Sequence, residues 1–194
     1  MKKAMLLGLA VLFLTIASNA YALYPYVALF GDTLTGPGGI EHSKCSVYVP
    51  APYTSVEMYV WFKPDMNKGL SAAEFKITYP TTTYIIQGAV TSNPLNQVEL
   101  GSLGAGMSVS VGEYFCQHDW YWTHWQEIIV KSLTARVIQV VGHPGNGGHI
   151  YLASCEPGFP MYNCTVLNHL YLNQGCSIGT HDSSWGAIKS LYTE

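Results

Sequence analysis

The sequence predicts an all-β fold, a two-sheet antiparallel sandwich of about nine short strands, and three observations carry that reading. Apolar side chains recur at every second position: Val56, Met58, Val60 and Phe62 alternate with Glu57, Tyr59, Trp61 and Lys63, the period of a half-buried strand rather than a helix. Turn residues then interrupt the extended runs at Gly36-Pro37-Gly38-Gly39, Asn93-Pro94, Gly101 to Gly106 and Pro144 to Gly148, where a positive or fixed φ ends a strand. Finally, 194 residues that are 48% apolar, 13% aromatic and 11% charged can build a core, which separates the chain from disordered, coiled-coil and repeat classes.

The elements follow in order. Lys2 and Lys3 precede an apolar run from Ala4 to Ala17, and Ser18-Asn19-Ala20-Tyr21-Ala22 ends in small residues; residues 1–22 therefore read as a signal peptide cleaved after Ala22. The run is too short for the roughly 20 residues that span a bilayer, so no membrane span is expected after cleavage and the product is secreted or periplasmic. A sandwich domain is expected over 23–178, with strands at Tyr26–Phe30, Val56–Lys63, Ala73–Tyr79, Tyr84–Gln87, Met107–Val111, Gln126–Leu133, Arg136–Val141, Ile150–Ala153 and Val166–Leu172. Val56–Lys63 and Ala73–Tyr79, separated by Pro64 to Gly69, read as an antiparallel pair. In 179–194 a linker leads into a short amphipathic helix capped by Ser183-Ser184, with Trp185, Ile188, Leu191 and Tyr192 on one stripe. A helix of about ten residues is marginal alone, so it must dock, either on its own sandwich or as a recognition segment for another protein.

Charge and cysteine content narrow the function classes. The net charge of −3 includes Lys2 and Lys3, Arg136 is the single arginine, and no basic cluster exists to displace counterions from a phosphate backbone. Nucleic acid is thus excluded as a partner. Export places the five cysteines where disulfides persist. Two bridges leave one thiol over; the expected arrangement is Cys155 with Cys176 and Cys45 with Cys116, leaving Cys164 free. Without a C-x-x-C pair, neither a zinc ribbon nor a thioredoxin-like site has its starting pattern.

The stretch Gly69-Leu70-Ser71-Ala72-Ala73-Glu74-Phe75-Lys76-Ile77-Thr78-Tyr79, following the strand Val56–Lys63 through a glycine-containing loop, matches Gly-Leu-x-Ala-x-x-Phe-x-Ile-x-Tyr. With Gly88 after the next strand and a late apolar strand at Gln126–Leu133, it resembles the cohesin and carbohydrate-binding-module group of bacterial extracellular sandwiches. The chain departs from that group where Tyr79 runs directly into Pro80 and in carrying cysteines. The chain is also similar to small secreted bacterial sandwich proteins with four or five cysteines. The resemblance implies architecture and leaves the ligand open.

The segment Phe115 to Glu127 concentrates three of the five tryptophans, Trp120, Trp122 and Trp125. If it is extended, Trp120, Trp122, His124 and Gln126 share one face and Tyr121, Thr123, Trp125 and Glu127 the other. One row enters the core; the other would offer rings for stacking on sugar faces or on an apolar partner. Trp120, Tyr121, Trp122, His124 and Trp125 are accordingly the candidate ligand-binding residues, and Trp185, Ile188, Leu191 and Tyr192 the candidate partner-docking residues. Cys116, His118, Asp119 and His124 match no standard metal spacing, and Asp65 to Gly69 lacks most of a calcium loop. No nucleophile elbow, selected carboxylate pair, phosphate loop or dinucleotide fingerprint is present. The expectation is a non-enzymatic binding module without a cofactor or metal, recognising carbohydrate or an extracellular protein. The alternative is a structural subunit of an extracellular assembly, docking through its C-terminal helix.

Overall fold

The computed structural model describes residues 25–33, 44–111 and 116–176. The expected signal peptide and the C-terminal helix lie outside the described residues. Among those described there are thirteen strands: β1 Tyr26–Thr33, β2 Ser46–Val47, β3 Thr54–Lys63, β4 Ala72–Thr78, β5 Ile85–Ser92, β6 Val98–Ser102, β7 Gly106–Ser110, β8 Tyr121–Val130, β9 Arg136–Val141, β10 Tyr151–Ala153, β11 Met161–Asn163, β12 Thr165–Asn168 and β13 Leu170–Leu172. All nine expected strand regions are found. β2, β6 and β11 are additional, and Val166–Leu172 divides into β12 and β13.

The first sheet has the order β12-β1-β3-β8-β5. In the second, β11-β10-β4-β9-β13-β2 are linked in sequence and a β6–β7 hairpin joins β4 through β7. Two pairs, β1 with β12 and β2 with β13, are parallel, so the sandwich is mostly rather than wholly antiparallel. One extended stretch creates both: after β12 the chain leaves the first sheet, and β13 pairs with β9 in the second. The buried Asn168 marks the crossing, donating its amide to the Leu29 carbonyl, which supplies a partner for a backbone acceptor in the core.

β3 and β4 do not form the expected hairpin. β3 pairs with β1 and β8, whereas β4 pairs with β7, β9 and β10. Both strands carry one continuous apolar face, and the segment between them crosses from sheet to sheet so that those faces meet across the core. Phe62 and Phe75 touch there with ring centroids 5.4 Å apart. Around them lie Val27, Leu29, Met58 and Val60 from the first sheet and Ile77, Val109, Ile138, Leu152 and Leu170 from the second, all buried. Burying such a side chain stabilises the fold by roughly 1.5–3 kcal/mol.

Two disulfides join Cys45 to Cys176 and Cys116 to Cys155, and Cys164 is free. The four bridged residues are those expected, but the partners are exchanged. The reason is the path of β13, which pairs with β2 and carries Cys176 back beside Cys45, whereas Leu70 pairs with Gln117 and draws Cys116 toward the end of β10. Gly69 completes that corner: it has φ +69°, and a Cβ on it would collide with Cys116 Sγ. No helix among the described residues is long and apolar enough to cross a membrane.

Candidate functional site

β8 determines what each side of the first sheet presents. Its register against β3 slips between Val60 and Trp61, where His124 is opposite Val60 but Trp122 is opposite Trp61. Thr123 is the extra residue of a β-bulge, and a bulge resets the alternation of faces. Tyr121, Thr123, His124 and Gln126 are consequently buried, while Trp122, Trp125 and Glu127 are half-buried. The simple alternation expected from sequence is corrected: Tyr121 and His124, expected on opposite faces, both turn inward, and Trp122 and Trp125, also expected apart, share the outer face.

That outer face is aromatic. Successive strands place Phe30, Tyr59 and Trp125 in one row and Ala28, Trp61 and Trp122 in the next. The Tyr59 ring lies edge-on to Trp122 at 6.0 Å and stacks on Trp125 at 6.4 Å, and Trp120 meets Phe30 at 6.1 Å. None of the three tryptophans is among the exposed large hydrophobic side chains. Tyr59 donates its hydroxyl to Glu57, and burial together with that carboxylate raises its pKa to about 12.

Behind the tryptophans is a polar cluster. His124 has no exposed surface, packs on the Phe75 ring at 6.0 Å, and holds Nε2 3.3 Å from Glu99 Oε1 on β6. Burial lowers the His124 pKa and outweighs the pull of Glu99 in the other direction. Burial alone would raise the Glu99 pKa, but hydrogen bonds from Ser92 and Asn96, with His124 nearby, bring it below the usual carboxylate range. Tyr121 donates to Asn96 and Asn93 donates to the Trp122 carbonyl. The β5–β6 loop is thereby fastened to the bulge.

The outer face of the second sheet is different. Ala72, Ser108, Ser110 and Ala153 form the floor of a groove of about 320 Å³, walled by Val98 and Leu100 on one side and Phe159 and Met161 on the other. Leu100 and Met161 are 65% and 50% exposed, and Val98 and Phe159 are exposed as well. Glu74, also lining the groove, accepts from Ser108 and Asn146. Small residues beneath larger walls make a trough that matches a ridge of side chains. Sequence reading missed this site, although Val98 and Leu100 flanking Glu99 carry a period of two.

The remaining expected residues are dispersed. Cys116 is in a disulfide, His118 contacts that bridge and donates its Nδ1–H to the Met66 carbonyl, and Asp119 pairs with Lys63. Trp185, Ile188, Leu191 and Tyr192 lie outside the described residues. Among the described residues no three His, Cys, Asp or Glu side chains are grouped to hold a metal.

These features define the class as a two-sheet β-sandwich with chain crossings between its sheets, and its particular likeness is to cohesin modules. The chain is similar to a cohesin module from a Clostridium perfringens family 33 glycoside hydrolase, with TM-score 0.51 and 10% identity over 77% of this chain and 97% of that one. It is similar also to a chain of a type I cohesin–dockerin complex from Clostridium thermocellum, with TM-score 0.50 and 7% identity over 76% and 92%. At such identities the likeness is one of fold, and the fold is cohesin-like. No protein-family model matches the chain, and no curated protein matches it in sequence.

Proposed function

We propose that this chain is a non-catalytic protein-docking module of an extracellular assembly, which receives an apolar ridge of a partner protein in the groove between β6 and β11. The carrying observation is the set of exposed side chains Val98, Leu100, Phe159 and Met161 around a floor of alanine and serine. Apolar groups gathered in one trough favour burial by a partner, whereas single exposed apolar residues need no explanation. A helix laying one stripe into a groove is the recognition mode that suits this shape. The solved cohesin–dockerin complex shows that a chain of this fold can serve in protein docking. Two disulfides and the leader expected at 1–22 fit assembly outside the cytoplasm.

Carbohydrate stacking at Trp122 and Trp125 is the weaker reading, because both rings are half-buried and engaged by Tyr59. One binding experiment separates the two. The immobilised chain is titrated with a panel of dockerin modules and with a glycan array, using wild type, Leu100→Asp, Met161→Asp and Trp122→Ala. The proposal predicts binding to a protein module that falls at least about tenfold in either groove variant, a loss of about 1.4 kcal/mol, and is unchanged in Trp122→Ala. Glycan binding abolished by Trp122→Ala, with the groove variants at wild-type strength, contradicts it.

A further inference from the structure

We infer that the aromatic outer face of the first sheet is the seat of the chain's own C-terminal segment, with Trp185, Ile188, Leu191 and Tyr192 packed across Tyr59, Trp122 and Trp125. The face offers two adjacent rows, Phe30–Tyr59–Trp125 and Ala28–Trp61–Trp122, running across three neighbouring strands. Such a surface is apolar on the side away from the core, the side that a sandwich normally leaves polar. Tyr59 and Phe30 are only 5% and 7% exposed although they point out of the sandwich. Trp120 stands at the edge of this face with its indole N–H buried and without a hydrogen-bond partner among the described residues.

The position where the described chain ends selects the occupant. Cys176 is bonded to Cys45, and Lys44, the residue before Cys45, pairs with Gly31 at the end of the Phe30 strand. The disulfide thus releases the tail beside the first row of rings. From there to Trp125 is three strand spacings, about 14 Å, and residues 177–183 extend up to about 23 Å. A nine-residue helix over 184–192 would be about 13 Å long, enough to cover both rows. A short tether also gives the segment a local concentration of millimolar order. Weak apolar contacts then suffice to seat a helix too short to persist alone.

Hydroxyl-radical footprinting of the full-length secreted chain, read residue by residue by mass spectrometry, tests this. Ile188→Asp combined with Leu191→Asp is expected to raise oxidation of Trp122 and Trp125 several-fold while Met161, on the opposite sheet, is unchanged. Unchanged oxidation at Trp122 and Trp125 overturns the assignment. If Met161 rises as well, the reciprocal variant Trp125→Ala decides: a gain in oxidation at Trp185 upholds the contact and no gain refutes it. Sedimentation of the same samples must give a monomer for wild type. A dimer that dissociates in the tail variant means the segment crosses to a second copy, and overturns the intramolecular seat.

Discussion

His124 is the residue whose chemistry is most altered by its place in the fold. Its unfolded imidazole titrates near the usual value of about 6.5, while the folded one, desolvated against Phe75, titrates lower. The unfolded chain therefore takes up the proton first as pH falls, and stability declines from about pH 6.5 downward until the folded imidazole also protonates. Glu99 acts in the same direction at lower pH, since its carboxylate is favoured by the fold and that contribution is lost as pH falls from its ordinary titration range toward its lower folded pKa. Thermal unfolding followed between pH 8 and 5 is expected to show a falling midpoint, with a shallower slope in His124→Gln. The half-buried His169, similarly lowered by burial, keeps the slope from vanishing. An identical slope in the variant would show that His124 is solvated in the native state.

At the scale of elements, the alternation of Val56 to Lys63 and of Ala73 to Tyr79 identified both strands because every second side chain of each is apolar and packs into the core, while polar or aromatic residues stand between them. Their pairing was not legible. Period two says which face is buried but not which neighbour supplies the hydrogen bonds, and β3 and β4 meet through side chains rather than backbone. The bulge at Thr123 was hidden for a related reason. An extra residue leaves no mark on composition, yet it moved His124 into the core and Trp125 out of it. The disulfide partners depended on the same topology, fixed by β13 crossing to the second sheet and by the Leu70–Gln117 bridge. Peptide mapping without reduction is expected to recover Cys45–Cys176 and Cys116–Cys155. Replacing Cys116 and Cys155 together by alanine should lower stability by about 2–4 kcal/mol, measured by denaturant unfolding; recovery of a Cys45–Cys116 peptide would refute the corner described at Gly69.

At the scale of the whole molecule, the sandwich has two unlike outer faces, one lined by rings and one grooved. The tryptophan-rich segment is conspicuous in the sequence because three of the five tryptophans, Trp120, Trp122 and Trp125, stand close together. The groove did not, because Val98, Leu100, Phe159 and Met161 are ordinary residues from two separate stretches that only the β6–β7–β4–β10–β11 order brings together. The cohesin-like architecture was anticipated from Gly69 to Tyr79, whose core and turn positions carry fold information and no ligand information. The proposed docking of a protein in the grooved face is tested most directly by hydrogen–deuterium exchange of the full chain with and without an excess of a type I dockerin module. Slowed exchange confined to residues 98–110 and 151–163 is the predicted result. Protection centred on 120–130, with those segments unchanged, would contradict it.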